Sequence, residues 1–271
     1  MSEPRVLTEH RDGVLLATLN RPERKNAFDD PLWDGLRETL DRAREDRSVA
    51  IVVLTGAGGN FSSGQDLNAF PTDGEATDGE SAIGSIEDTA FSRFVDSLVA
   101  FDKPLVAAAT GIAVGGGATI LFHADILYVG EGLRMRLPFA NLGLVPELAS
   151  SYTLQQAIGS QRAAELFYTA EWIDAARAVE VGIAAASHPD DQLLDAAMAK
   201  AAEIAQWPVA SLQATKRCLM VAHTDGIARA RAIENETMME RAGSPENIEA
   251  IMAFLEKRPP DFAQFRSVSE G

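Results

Sequence analysis

The chain has 271 residues, of which 46% are hydrophobic and 24% are charged, so it can build a large apolar core. Its 24 Lys and Arg residues stand against 40 Asp and Glu residues, which gives a formal net charge of −16. This acidity disfavours a nucleic-acid platform, because such proteins neutralise phosphates with Lys and Arg. Cys218 is the only cysteine, which excludes an intramolecular disulfide and a multi-cysteine metal site and favours the reducing cytoplasm.

The predicted elements begin as short apolar runs that alternate with glycine turns and helical segments. Runs that end at Asn or Gly predict strands over residues 13–20, 49–54, 105–109 and 124–129, and a helix begins near Pro31. From Ser160 onward helical spacing dominates, with Asp174 as a predicted N-cap and further helices over residues 190–206, 208–223, 226–241 and 245–258. This order predicts an α/β core over residues 1–190 and a helical region over residues 191–271.

One uncharged segment, residues 104–122, is long enough to be considered as a membrane helix. Pro104 opens it and glycines interrupt it, so we interpret it as a buried strand, a turn and a core helix. The first 13 residues carry scattered charges and no apolar stretch, which is untypical of a signal or transit peptide. We therefore expect a protein without a membrane span or an export signal.

Residues 71–88 form an acidic segment between the second and third predicted strands. They include six Asp and Glu residues and no Lys or Arg. The scarcity of apolar positions predicts a solvated excursion rather than a core element. Two interpretations stay open, a linker between domains and a flexible cover over a binding site.

Two glycine-rich segments, residues 56–67 and 111–122, directly follow predicted strands. Neither contains the phosphate-loop pattern or the dinucleotide fingerprint. Glycine permits close backbone approach, and two N–H groups that face each other can bind a developing oxyanion. Ordinary turn chemistry explains the same residues, so the pattern alone leaves both interpretations open.

An ordered set of motifs resembles the crotonase, or enoyl-CoA hydratase/isomerase, superfamily. The motifs are LNRPERKNAF (19–28), VVLTGAGGNFSSGQDL (52–67), KPLVAAATGIAVGGGATI (103–120), HADILYV (123–129), PFANLGLVPELASSYTL (138–154) and AFLEKR (253–258). The resemblance implies an α/β crotonase (ClpP/crotonase-like) fold of repeated ββα units with a helical C-terminal trimerisation region. It also implies a homotrimer or a dimer of trimers that acts on an acyl-CoA, with CoA as part of the substrate and no separate cofactor.

The resemblance also implies site residues. The backbone N–H groups of Ser63 and Gly116 would form an oxyanion hole for the thioester carbonyl. Main-chain atoms of residues 63–67 would bind the CoA, and Phe254 and Lys257 would approach its end from the same or a neighbouring subunit. The full implied binding set is Arg24, Lys25, Ala27, Ser63, Gly64, Gln65, Asp66, Leu67, Gly116, Phe139, Phe254 and Lys257.

The acid and base positions distinguish the reactions of this superfamily. The resemblance implies that family hydratases carry a catalytic glutamate at each of two positions, which in this chain are Thr119 and Phe139. Neither of these side chains can transfer protons at neutral pH. Glu147 occupies the place of the single base in the peroxisomal-type Δ3,Δ2-enoyl-CoA isomerases that this motif resembles. One carboxylate can move a proton from C2 to C4, so the leading hypothesis is isomerisation of a 3-enoyl-CoA to 2-trans-enoyl-CoA. Apolar neighbours, including Phe139, are expected to raise the pKa of Glu147.

Several alternatives stay open. The protein could be a weak enoyl-CoA hydratase or a catalytically idle acyl-CoA binding subunit. Covalent catalysis is a third, because some hydrolase and dehalogenase relatives place an Asp nucleophile near the position of Glu147. Glu147 could also be only a solvated loop carboxylate or a helix N-cap. No histidines or carboxylates stand at metal-ligand spacing, so we predict no metal, and we expect His123 and Asp125 to be structural.

Overall fold

The computed structural model describes residues 3–66 and 89–266. The acidic segment 71–88 and Leu67 lie outside these residues. The strands of the described residues are β1 (Val6–Arg11), β2 (Val14–Leu19), β3 (Ile51–Gly56), β4 (Leu105–Ala109), β5 (Ile112–Val114), β6 (Ile126–Gly130), β7 (Arg134–Arg136), β8 (Ile173–Asp174) and β9 (Ala186–His188). The helices are α1 (Asp30–Glu45), α2 (Ala90–Val99), α3 (Gly116–Thr119), α4 (Ser150–Ile158), α5 (Ser160–Thr169), α6 (Ala175–Val181), α7 (Leu193–Ala205), α8 (Val209–Met220), α9 (Thr224–Arg241) and α10 (Pro245–Leu255).

The main sheet has the strand order β1-β2-β3-β4-β6-β9. All neighbouring pairs are parallel except β1 with β2. The central strands β3 and β4 are covered on both faces, as their uninterrupted apolar sequences predict. The four predicted strands are therefore confirmed within one or two residues at each end. β1 was not predicted, because its polar sequence VLTEHR forms a largely exposed edge.

A second, three-stranded sheet has the order β5-β7-β8. Its strands are only two or three residues long, so no periodic pattern in the sequence predicts them. β5 nevertheless matters for the site, because Ser62 pairs with Ala113 in a parallel bridge. The bridge fixes one glycine-rich segment against the start of the other.

Helices cover the sheet and form the C-terminal part of the chain. α7 packs on the main sheet through Leu193, Ala197 and Ala201, and α1 and α2 pack against each other beside the large core cluster. The predicted N-cap is confirmed, since the Asp174 side chain accepts a hydrogen bond from Arg177 N at 2.8 Å. The α/β core followed by helices matches the predicted fold class.

The uncharged segment 104–122 folds as β4, β5 and α3, followed by the start of a 3₁₀ turn over Ile120–His123. This agrees with the interpretation as strand, turn and short core helix. Among the residues that the structure describes, no helix combines the length and the apolar character that crossing a membrane requires.

Candidate active site

The two glycine-rich segments meet where β5 ends and α3 begins. Ser62 N donates to Ile112 O at 2.9 Å, and Val114 N donates to Ser62 O at 3.0 Å. A Cβ added at Gly117 would lie 2.4 Å from Ser62 O, and one added at Gly64 would lie 2.6 Å from Val114 O. Both distances are too short for any side chain, so glycine is what allows the backbones to touch.

The N–H of Ser63 is not available for an oxyanion, because it donates to Lys25 O at 2.9 Å. The left-handed φ of +85° at Gly64 turns the chain, so the next N–H faces a different neighbour. Within the described residues, the N–H groups of Gln65 and Gly116 donate to no acceptor. The prediction that the Ser63 N–H faces the oxyanion is therefore wrong, and Gln65 becomes the candidate partner of Gly116.

Glu147 reaches this junction from the loop before α4. Its Oε1 lies 3.1 Å from the position that a Cβ on Gly116 would occupy, and Trp33 Cη2 lies 3.6 Å from the same point. The indole N–H of Trp33 donates to Gln65 Oε1 at 3.1 Å. The Glu147 carboxylate and the Trp33 ring therefore both lie beside Gly116, and Trp33 also contacts Gln65. Trp33 lies in the helix that the sequence predicts from near Pro31, and its contact with Gln65 has no signal in the sequence.

The electrostatic setting of Glu147 differs from that of an ordinary loop carboxylate. Burial, followed by the charge of Glu234, raises its pKa from 4.5 to about 7. The predicted direction is confirmed, whereas the contribution of Glu234 was not predicted. At the two hydratase positions, Thr119 is buried and donates from Oγ1 to Gly116 O at 3.4 Å, and Phe139 is buried against Phe167.

Glu234 is a residue that the sequence analysis missed. It lies on α9 and is 5% exposed, and its carboxylate accepts hydrogen bonds from Ala149 N at 2.7 Å and Ser151 N at 2.9 Å. A signal was available, because Ile227, Ala230 and Glu234 share the buried face of that helix at spacings of three and four residues. An acid on an otherwise apolar face indicates a buried partner.

Comparison with known proteins adds to this geometry. The family model described as Enoyl-CoA hydratase/isomerase matches residues 9–266. The chain belongs to the enoyl-CoA hydratase/isomerase family. A crystal structure of the enoyl-CoA hydratase/isomerase from Pseudoalteromonas atlantica T6c superposes with a TM-score of 0.87 at 31% identity, covering 95% of this chain and 99% of that one.

Relatives within the enoyl-CoA hydratase/isomerase family differ in reaction. The chain is 33% identical over 262 residues to 2,3-dehydroadipyl-CoA hydratase of Escherichia coli K12, covering 97% of this chain and 99% of that protein. It is 31% identical over 260 residues to enoyl-CoA delta isomerase 2 of Rattus norvegicus, covering 94% of this chain and 64% of that protein. Overall similarity therefore includes both a hydratase and an isomerase, and the site residues must decide between them.

The residues implied for CoA binding in this family are partly assembled. Arg24 and Lys25 are exposed on a turn whose carbonyl oxygens accept from the Ser63 hydroxyl at 3.3 Å and the Ser63 N–H at 2.9 Å. Ala27 is buried, and its carbonyl accepts from the buried Arg21 guanidinium at 2.7 Å. That guanidinium also pairs with Asp66 at 3.0 Å. The polar turn and residues 63–66 therefore form one surface.

Phe254 and Lys257 are not part of that surface within one chain. Both are exposed at the end of α10, and in the described ranges no hydrogen bond or ion pair joins them to residues 21–29. α10 is attached elsewhere, since Asn247 Nδ2 donates to Leu142 O at 2.7 Å. Among residues 3–66 and 89–266, no group of three or more His, Cys, Asp or Glu side chains could hold a metal ion.

Proposed function

We propose that this member of the enoyl-CoA hydratase/isomerase family converts a 3-enoyl-CoA to the 2-trans-enoyl-CoA, with Glu147 as its single acid and base. The observation that carries the proposal is the position of the Glu147 carboxylate beside Gly116, combined with a pKa of about 7. A group that titrates near neutral pH can both accept and return a proton. Thr119 and Phe139 supply no second acid where a hydratase of this family would need one.

The proposed reaction moves one proton and one double bond. The ionised Glu147 carboxylate removes a proton from C2, and the electron pair of that C–H bond delocalises into a dienolate. The N–H groups of Gly116 and Gln65 hold the negative thioester oxygen, where each donor is worth roughly 2.7–4 kcal/mol of transition-state stabilisation. Protonated Glu147 then delivers its proton to C4, which leaves the double bond between C2 and C3.

The rest of the site supports binding of a CoA thioester as the substrate, without a separate cofactor. Arg24 and Lys25 place two cations beside residues 63–66, where they can meet CoA phosphates despite the overall charge of −16. We further propose a homotrimer or a dimer of trimers in the cytoplasm. α10 supports association because it exposes Ile248, Phe254 and Leu255, large apolar side chains that a partner subunit could cover.

The test is incubation of the purified protein with 3-hexenoyl-CoA while conjugated enoyl absorbance is recorded. We expect conversion by the wild type and a loss of about 10²–10⁴-fold in kcat for Glu147→Gln, because the amide cannot accept the C2 proton. Glu131→Gln, which changes an exposed glutamate directly after β6, is the matched control. The kcat/KM of the wild type should rise with pH through about 7, since the base must be ionised.

Three other results would each indicate a different function. Water addition to crotonyl-CoA at a rate comparable to isomerisation would indicate a hydratase. CoA-ester binding by calorimetry, with C2 proton exchange in heavy water at background, would indicate an idle binding subunit. A covalent acyl adduct on Glu147 would make that carboxylate a nucleophile rather than a base.

A further inference from the structure

The segment that carries Glu147 into the site has an unusual backbone. Leu148 has a φ of +59° and Ala149 a φ of +54°, so two consecutive non-glycine residues are left-handed. Each such residue costs roughly 1–2 kcal/mol relative to a right-handed conformation. Strain of this kind persists only where surrounding contacts hold the chain. The turn Glu147–Ala149 must therefore be held from outside.

Glu234 holds this turn through two hydrogen bonds. Its two carboxylate oxygens accept from Ala149 N at 2.7 Å and Ser151 N at 2.9 Å, two of the N–H groups at the start of α4. Such groups have no partner within their own helix. A charged acceptor from α9 therefore caps α4, and the same carboxylate fixes the residue that follows Glu147 and Leu148.

His123 holds the other side of the turn. Its Nε2 lies 2.6 Å from Leu148 O, and since a carbonyl only accepts, Nε2 carries the proton. Burial lowers the pKa of His123, which favours the neutral ring. The turn is thus bound at two points: the neutral His123 ring donates to the Leu148 carbonyl, and the Glu234 carboxylate accepts from the Ala149 N–H.

The charges around Glu234 come from several elements. Arg231, one helical turn away on α9, pairs with Asp96 of α2 at 2.7 Å. Burial raises the pKa of Glu234, while its bonds to Ser151 and Ala149 and the charge of Arg231 oppose that rise. Lys216 of α8, which pairs with Asp125 at 2.8 Å, acts on His123 instead, and its charge helps to lower the pKa of that imidazole. The Glu234 carboxylate is therefore bound by donors, whereas Glu147 faces a neighbour of like charge.

Taking Glu147 as the base of the proposed function, we propose that Glu234 is a positioning residue for it. Its carboxylate keeps the strained turn Glu147–Ala149 closed, which aims the Glu147 side chain at Gly116. Its negative charge also disfavours ionisation of Glu147, so that Glu147 releases and recovers its proton near neutral pH. Glu234 itself stays bound to the two N–H groups and transfers no proton.

The test uses two substitutions that separate charge from reach. Glu234→Gln removes the charge and replaces one acceptor oxygen by an NH₂ group, which cannot accept from an N–H. We expect kcat to fall about 10- to 100-fold, KM to change little, and the rise of kcat/KM to move to lower pH. Glu234→Asp keeps the charge but shortens the reach, so kcat should fall while the pH profile stays closer to that of the wild type. Glu236→Gln, an exposed glutamate on the same helix, is the control.

A second measurement separates this proposal from the proposed function. Titration of the carbon-13 carboxyl signal of Glu147, assigned by its absence in Glu147→Gln, needs no substrate. A downward move of that titration in Glu234→Gln supports the proposal even if the wild type isomerises nothing. An unchanged titration and an unchanged kcat would overturn it. A fall in kcat that follows only a lower thermal midpoint, without a shift in titration, would overturn it too, and would make Glu234 merely structural. If Glu234→Gln does not fold, a wild-type kcat and titration in Glu234→Asp would overturn it.

Discussion

The two halves of the site are built in opposite ways. At the oxyanion junction, backbone meets backbone, and the contact of Gly64 with Val114 and of Gly117 with Ser62 exists because no Cβ intervenes. At the acid and base turn, Leu148 and Ala149 adopt left-handed conformations with their side chains in place. Polar side chains from other elements, Glu234 and His123, hold that turn instead of glycine.

Because of this difference, we expect the oxyanion junction to be rigid and the turn Glu147–Ala149 to be adjustable. A junction in which two backbones touch directly leaves no room for a side chain, so its geometry is fixed. Such a fixed geometry suits an oxyanion site that different reactions of the family can share. A turn held by a carboxylate and an imidazole can be altered through those distant groups without touching the oxyanion junction. We infer that the reaction is set mainly at the turn, since the proposed base Glu147 lies there and His123 and Glu234 bind the two residues that follow it.

The largest effect should come from adding a methyl group at the junction. In Gly117→Ala the new Cβ would lie 2.4 Å from Ser62 O and 2.8 Å from Ser62 Cβ, so the two segments must separate. We expect the free energy of unfolding to fall by about 3 kcal/mol or more, with loss of the proposed isomerase activity. Denaturant unfolding measures the first and the 3-hexenoyl-CoA assay the second.

Gly59→Ala is the control for that change, because Gly59 has a φ of +71° but open space where its Cβ would stand. It should cost only about 1 kcal/mol, from the left-handed conformation alone. Equal losses in the two variants would show that conformation, rather than close approach, explains the glycine at the junction.

The contrast between the halves also explains what the sequence could predict. The buried strands and the close backbone approach at the two glycine-rich segments were predictable because each is a local pattern of a few residues. The partner of Glu234 was not, because Ala149 is 85 positions away in the sequence and only the packing of α9 on α4 brings the two residues together. The error at Ser63 has a third cause, since the turn at Gly64 decides which N–H faces the site and the sequence does not specify that φ.

A smaller effect should appear in how stability depends on pH. The pKa of Glu147 is raised from 4.5 to about 7, so the folded state binds its proton more tightly than the unfolded state. The stability that this preference gives is complete below pH 4.5 and is lost as pH rises through about 7. Relative to Glu147→Gln, which does not titrate, the wild type should lose up to about 3 kcal/mol of unfolding free energy between pH 4 and 8.

Unfolding of both proteins by urea at several pH values gives this difference directly. Glu131→Gln should follow the wild type at every pH, because it leaves Glu147 unchanged. A constant gap between the wild type and Glu147→Gln from pH 4 to 8 would mean that Glu147 titrates normally. The turn would then not raise the pKa of its glutamate, and the proposed difference between an adjustable turn and a rigid oxyanion junction would be wrong.

The smallest effect should come from giving the turn the glycine that it lacks. Ala149→Gly relieves a left-handed strain of roughly 1–2 kcal/mol. It also removes a fully buried methyl group, worth about 0.8 kcal/mol, and adds about 0.4–1 kcal/mol of freedom to the unfolded chain. These terms nearly cancel, so we expect the free energy of unfolding to change by less than about 1 kcal/mol. Ala197→Gly, at an equally buried position inside α7, lacks the strain and should cost about 2 kcal/mol. An equal loss in both would mean that Ala149 stores no strain, and that Glu234 and His123 hold a turn that would close without them.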